Sequence, residues 1–435
     1  MMDVNALYNE KLCTPTEAAN LIHDGSLIQG DIALSNPPAL LMAIDQRAVR
    51  GEIQNVRLGN ALLLYPLTCY QDPEVAKRLR PISTFSHTVA RNAVSAGICD
   101  IMPNCYSDCG ALARDYKKPD VMIADVSPMD KHGYFSFGCS ASVVPELLET
   151  AKTVILEVNK FMPRTINGPQ IHISDVTAVC EYDRPLPSIP SSEPDEISAK
   201  IGGYIAEEVA NGSTIQLGIG SIPDAVGAAL RDKHGLGIHT EMLTNSMVDL
   251  LECGAADNMN KPINKGYTVT AFAMGSQKVY DYMDDNPSVM MREASYVIDP
   301  NTIAQHPNFV SVNSAIEIDL WGQVTAESIG TKHISGTGGQ LDFVRGAIRS
   351  KGGKSFLAFS STAGNGEISR IRPTLTPGSI VTTGKNETDY VVTEYGIAKI
   401  RGTTVSERVK ALIAIAHPKF REELTFEAKK MNILI

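Results

Sequence analysis

The chain has 435 residues, 43% hydrophobic and 20% charged, an ordinary globular balance with room for two or three domains. A formal charge of −10 argues against a nucleic-acid binder but permits a small anionic ligand held by local basic groups. No apolar run reaches the roughly 18 residues that span a bilayer, and the N-terminal stretch MMDVNALYNEKLCTPTEAANL does not read as a secretory signal, so a cytoplasmic protein is expected.

From the N-terminus, TEAANLI has helical apolar spacing, and Asp24-Gly25-Ser26 ends it. A strand begins at LIQG, and NPPALLMAI opens a helix with prolines in its first turn. Cys105 and Cys109 form a C-x3-C pair with no second pair and no nearby histidine, so no metal is expected and the eight cysteines read as free thiols. VMIADVSPMDKHGYFSFG reads as a strand ending at Asp130 with a turn at Gly133, and TVILEV (153–158) as a further strand. EYDRPLPSIPSSEPDE (181–196) carries four prolines and the helix-start signal Ser-Ser-Glu-Pro. It divides the chain into domains 1–185 and 186–435.

The second part repeats the first. Ile197, Ile201, Ile205 and Val209 fall four apart on one helical face, then Gly212-Ser213, the strand STIQL (213–217), a glycine turn and Pro223 follow. Gly25-Ser26 and Gly212-Ser213 lie 187 residues apart. Asp130 and Asp319, each followed three residues on by glycine, lie 189 apart. Two matches at nearly one offset predict a duplicated α/β architecture: two similar open domains, with parallel or mixed sheets flanked by helices. FVSVN (309–313) and KSFLAF (354–359) are further strands.

Three segments of the second half carry the candidate chemistry. LGIGSIP, 217–223, is G-x-G-x-x-P rather than the G-x-G-x-x-G of a dinucleotide fold, and no acidic residue follows where a ribose would need one. Two readings stay open: a tight strand–helix turn and nothing more, or backbone N–H groups offered to a phosphate or to a transient oxyanion. GIHTEM places Glu241 at the end of an apolar run, where α/β folds put their sites. SGTGGQLDFVRGA (335–347) repeats the pattern of glycine donors beside a helix, and Glu327 is a second candidate carboxylate.

Taken together, DVSPMDKHGYFSFG, VILEVNKFMPRTING, QLGIGSIPDAV, GIHTEM, MGSQKVYDYMDDNP, VNSAIEIDLWGQVTAESIGTKHISGTGGQLDFVRGA and DYVVTEYGIAKIRG resemble the acetyl-CoA hydrolase/transferase family. The likeness is strongest to its 4-hydroxybutyrate and butyryl-CoA:acetate CoA-transferase branch. The resemblance implies that Glu241 is the nucleophile, that the N–H groups of Ile219 and Gly338 form an oxyanion hole, and that Gln216, Leu217, Gly218, Ile219, Gly220, Ile316 and Gly339 line the CoA site. It ranks Glu327 second. It leaves Arg370, Arg372 and Lys385 as candidate phosphate contacts, with Glu367 where a cation would be expected. It implies acyl-CoA and short-chain carboxylic acids as partners, coenzyme A as substrate with no further cofactor, and a homodimer. A transferase, a short-chain acyl-CoA hydrolase and a non-catalytic acyl-CoA-binding protein remain as functions; Glu241 beside both glycine loops argues against the last.

Overall fold

A computed structural model describes residues 3–190 and 193–434. Ser191 and Ser192, half of the expected helix-start signal, lie outside the described residues; the cap of the following helix is Asp195, whose side chain accepts from Ser198 N–H. By its contacts the chain forms two units: the N-terminal part to Ile189 with Val269–Val297, and Pro190–Thr268 with the C-terminal part from Ile298. The first passage between units falls in the proline-rich segment. The return of Val269–Val297 to the first unit is not marked by any break in composition: TVTAFA (268–273) is simply a buried strand.

The first unit is built on a seven-stranded sheet. Its strands are β1 (Leu27–Ile32), β2 (Val56–Ala61), β3 (Leu79–Phe85), β4 (Asp100–Ile101), β5 (Val121–Val126), β6 (Thr153–Val158) and β7 (Ala178–Glu181), in spatial order β4-β3-β2-β1-β5-β6-β7. Every pairing is parallel. Strands covered on both faces read as unbroken apolar runs, and β5 is buried at all six positions. Helix α1 (Pro38–Arg50) begins with proline at its first position, as expected, and buries Leu40, Leu41, Ile44 and Ala48.

The second unit repeats this plan. Strands β8 (Thr214–Leu217), β9 (Gly237–Leu243), β10 (Val310–Ser314), β11 (Lys354–Ala358), β12 (Tyr390–Thr393) and β13 (Gly396–Lys399) lie in the order β9-β8-β10-β11-β12-β13. All pair in parallel except the hairpin β12–β13. The order β2-β1-β5-β6-β7 of the first unit thus recurs as β9-β8-β10-β11-β12. The repeat holds in detail. Gly25 and Gly212 both take φ +77°, and Ser26 and Ser213 carbonyls accept equivalent N–H groups from Arg57 and Gly237 at 2.9 Å. Asp130 and Asp319 each fold their carboxylate over the next turn, receiving the N–H groups of residues two and four further on, and Gly133 and Gly322 turn with φ +90° and +84°. Asp130 itself lies beyond β5, in the loop rather than at the strand end.

Helix α2 (Glu196–Glu208) carries the four-apart stripe: Ile201 and Ile205 are fully buried and Val209 caps its end, whereas Ile197 is 40% exposed because it belongs to the first turn. Helices α3 (Ser221–Ala229), α4 (Asn245–Glu252), α5 (Gln340–Arg349) and α6 (Val405–Ile415) belong to the same unit. All eight cysteines are free, five of them buried. Among the described residues no helix is long and apolar enough to cross a membrane.

Candidate functional site

Strand order reverses between β8 and β10, because β8 pairs with β9 on one side and with β10 on the other. At such a switch point neighbouring connections leave in opposite directions and open a crevice at the strands' carboxyl ends. The glycine turn 218–220 stands there. The parallel register sets Thr214 beside Gly237 and Ile215 beside Ile238, so the turn that follows β8 and the end of β9 that carries Glu241 lie on the same, carboxyl side of the sheet. On the other side the Gln216 and Asn313 amides bond each other reciprocally at 3.3 and 3.2 Å, fixing the β8–β10 edge of the crevice.

Each residue of the turn contributes differently. Gln216 and Leu217 are buried, so what Leu217 offers a ligand is backbone. The Gly218 N–H is used by Val312 O at 3.1 Å. A Cβ on Gly218 would meet only ordinary contacts at 3.6 and 3.8 Å. Gly220 takes φ +113° and ψ 179°, a conformation closed to other residues, and starts α3 without a side-chain cap. Between them Ile219 is 54% exposed. Among the described residues the Ile219 and Gly220 N–H groups have no protein acceptor. The turn therefore does more than reverse the chain: it presents donors at a helix N-terminus.

Glu241 projects from β9 on the face that also carries His239. It is half-buried, and desolvation raises its carboxyl to about 7, with Asp342 adding to the rise and the Gly339 N–H, donated to the carboxyl, opposing it. Gly339 is the N-cap of α5 and has no side chain with which to cap it. Its φ of −90° suits any residue. What requires glycine is proximity: a Cβ here would stand 2.1 Å from Glu241 Oε2 and 3.1 Å from Ile298 Cγ2. Glu241 thus caps α5 from another strand, in the place that a serine or aspartate N-cap would fill. Gly338, just before, has φ +56°, and among the described residues its N–H has no protein acceptor. Phe343, stacked on Phe309 at 6.1 Å, anchors the helix beneath.

The other expected residues serve mainly to build the loops. Glu327 is 7% exposed; its Oε1 accepts from Thr382 Oγ1 at 2.9 Å, and its carbonyl accepts the N–H groups of Ile334 and Ser335 at the root of the 335–339 loop. Ile316 is tied by its N–H to Thr325 O at 2.8 Å and by its carbonyl to Arg370 Nε at 2.7 Å. Arg370 also bonds Ala315 O and Ser360 Oγ and packs on Phe359, so its guanidinium is spent on protein carbonyls rather than presented to a phosphate. Arg372 lies 3.6 Å from Glu317, Lys385 sits over the Trp321 ring at 5.5 Å, and Glu367 is exposed beside Lys419 at 2.9 Å. Asp342 is the residue that sequence reading passed over. An acid three positions after a glycine N-cap is a recognisable first-turn signal, but only the fold sets it beside Glu241.

Residues 1–190 match the acetyl-CoA hydrolase/transferase N-terminal domain, and residues 275–428 match the C-terminal domain of the same family. The succinyl-CoA:cyclohexane-1-carboxylate CoA transferase of Geobacter metallireducens is 44% identical, over 98% of this chain and 96% of its own length. The 4-hydroxybutyrate coenzyme A transferase of Clostridium kluyveri is 41% identical over 99% of this chain and all of its own. The crystal structure of RipA from Yersinia pestis superposes over the whole of both chains with a TM-score of 0.95 at 38% identity. Likeness of this extent in sequence and in fold, running through both halves of the duplication, means that the chain belongs to the acetyl-CoA hydrolase/transferase family.

Proposed function

We propose that the protein transfers CoA between a short-chain acyl-CoA, such as 4-hydroxybutyryl-, butyryl- or acetyl-CoA, and a carboxylic acid such as acetate, with Glu241 as covalent nucleophile. The observation that carries this reading is the Glu241 carboxyl seated against Gly339 at the switch point, desolvated yet only half covered. In water a carboxylate attacks a thioester poorly. Stripped of water and aligned beside backbone donors it becomes competent.

One Glu241 oxygen adds to the thioester carbonyl carbon. The resulting oxyanion is received by the N–H groups of Ile219 and Gly338, which have no acceptor among the described residues. The C–S bond breaks and its electron pair leaves with the CoA thiolate, giving a mixed anhydride. The thiolate then attacks the glutamyl carbonyl, the acyl group departs as a free carboxylate, and Glu241 carries CoA as a thioester. An incoming acid runs the steps in reverse. The bond energy stays in an activated acyl link throughout, and the kinetics are ping-pong. The exposed Ile219, Gly220 and the Ile316 and Gly339 loops line the path for CoA, and two chains assemble as a homodimer in the cytoplasm; light scattering tests the assembly.

The test is trapping. Enzyme incubated with acyl-CoA and no acceptor acid, then treated with borohydride, is expected to show a reduced glutamate within GIHTEM by peptide mass spectrometry. Rapid acyl-CoA turnover with that peptide unchanged would refute the mechanism. A hydrolase using the same glutamate differs in one respect: it consumes acyl-CoA without added carboxylate.

A further inference from the structure

We propose that Thr382 is a positioning residue for the oxyanion loop: its hydroxyl locks the root of the 335–339 segment and so fixes the Gly338 N–H where the oxyanion forms. The inference rests on the reading of Glu241 as nucleophile and of Gly338 as an oxyanion donor.

The loop does not hold itself. Its sequence is Ser-Gly-Thr-Gly-Gly, and glycine is the residue with the most backbone freedom to lose. Among the described residues the N–H groups of Gly336, Thr337 and Gly338 have no protein acceptor. The placement of the loop is therefore set at its two ends. At the start, the Glu327 carbonyl accepts the N–H groups of Ile334 and Ser335 at 2.7 and 3.2 Å, and the Ala326 carbonyl accepts from Ser335 Oγ at 3.0 Å. At the far end Gln340, the first residue of α5, donates from Nε2 to Thr383 Oγ1 at 3.4 Å.

Both ends lead to one dipeptide. Thr382 is 4% exposed and Thr383 is fully buried. Thr382 Oγ1 accepts the Ala326 N–H at 3.0 Å and donates to Glu327 Oε1 at 2.9 Å, so one hydroxyl works in both senses. The dipeptide is itself fixed to Val324. The N–H groups of Thr382 and Thr383 go to the Val324 carbonyl at 2.8 and 3.1 Å, and the Val324 N–H returns to the Thr383 carbonyl at 3.0 Å. Ala326 and Glu327 thus carry the loop with their carbonyls while Thr382 grips the Ala326 N–H and the Glu327 carboxylate. Valine at position 382 has nearly the same shape and makes neither side-chain bond. It leaves the Ala326 N–H and Glu327 Oε1 without that partner in a buried place.

An oxyanion donor acts in the transition state and not on the bound thioester. A displaced Gly338 N–H therefore lowers kcat and leaves KM for acyl-CoA nearly unchanged. A general loosening of the unit lowers its melting temperature and need not touch kcat.

The experiment compares steady-state transfer from acetyl-CoA to butyrate, and thermal melts, for Thr382→Val, Thr382→Ser, Ser335→Ala and Thr388→Val, with Glu241→Ala in parallel. Thr388 is the structural reference: it is fully buried in the same unit, and its hydroxyl donates to the Gly322 carbonyl at 2.8 Å, outside the loop. Thr382→Val is expected to lose about tenfold in kcat, part of the roughly 100-fold or more that follows outright loss of an oxyanion donor, with KM within about twofold. Formation of the borohydride-trapped adduct is expected to slow by the same factor. Thr382→Ser keeps the hydroxyl and is expected to restore kcat. Thr388→Val is expected to melt lower and keep its kcat. Should Thr382→Val fail to fold, Ser335→Ala, which removes the Ala326 bond at the same root, is expected to show the same split between kcat and KM. Full kcat in a folded Thr382→Val (or in Ser335→Ala in its place), no rescue by serine, or an equal loss of kcat in Thr388→Val overturns the positioning role alone. An active Glu241→Ala overturns the nucleophile itself.

Discussion

Replacing Gly339 by alanine tests the site through one methyl group. The backbone there has φ −90° and ψ 1°, which alanine adopts freely, so α5 is not strained by the change. The new Cβ would, however, stand 2.1 Å from Glu241 Oε2. The carboxyl is the end of a flexible side chain and moves away, by about 1 Å or more to reach ordinary contact. In doing so it loses the Gly339 N–H. Misplacing a reacting group by 1 Å costs roughly 100-fold in rate, about 2.7 kcal/mol of barrier. The melting temperature is expected to change by no more than about 2–4 °C, since no core contact is lost. The assay is steady-state transfer from acetyl-CoA to butyrate beside a thermal melt. Undiminished kcat would refute the placement of Glu241 against this helix. A collapse in stability that tracks the loss of activity would make Gly339 a folding residue instead. Gly203→Ala is the control: it lies within α2, a Cβ there would meet nothing within 4 Å, and activity is expected to stay near that of the wild type.

Glu241→Ala is expected to lose several orders of magnitude in turnover and all borohydride-trapped adduct, while Glu327→Ala, which removes only the Thr382 bond, falls by less than about tenfold; the reverse ranking would exchange their roles. Activity is expected to fall as pH drops through about 7, where the Glu241 carboxylate takes up a proton, and a flat kcat/KM profile from pH 5 to 8 would contradict this. The same shift sets a stability effect. Folding raises this group's pKa from 4.5 to about 7, so its contribution is most favourable below 4.5 and is lost as pH rises through 7. Glu241→Gln is therefore expected to be more stable than wild type above pH 7, by up to about 3 kcal/mol, with the gain vanishing near pH 4; equal denaturant midpoints at pH 8 would count against it. Gly338→Ala, at φ +56°, is expected to lose about 1 kcal/mol of stability as well as activity, measured by the same melts and assays.

The duplication was legible in the sequence because it is carried by local turn chemistry. Gly25 and Gly212 need a left-handed backbone, and Asp130 and Asp319 bond their own next turn, so each leaves a residue-level mark wherever the motif recurs. Strand TVILEV and the proline start of α1 were equally local and appear as read. Glu241 could be singled out because it interrupts an apolar run at a strand end, and the family likeness then implied its role. What the sequence did not contain is adjacency. Glu241 meets Gly339 across about a hundred residues, and the reason Gly339 must be glycine is a neighbour's carboxylate rather than its own backbone angle. Arg370 looked free for a phosphate because a basic residue in a loop usually faces water; the fold turns it inward onto the carbonyls of Ala315 and Ile316, which the loop leaves without strand partners. The return of Val269–Val297 to the first unit was likewise invisible, since composition records that a strand is buried but not which unit it packs with. Local dihedral preferences and hydrophobic periodicity act within a few residues and are written in the chain; the desolvation of Glu241 and the Gly339 N–H that it accepts come into being only when distant segments close around it.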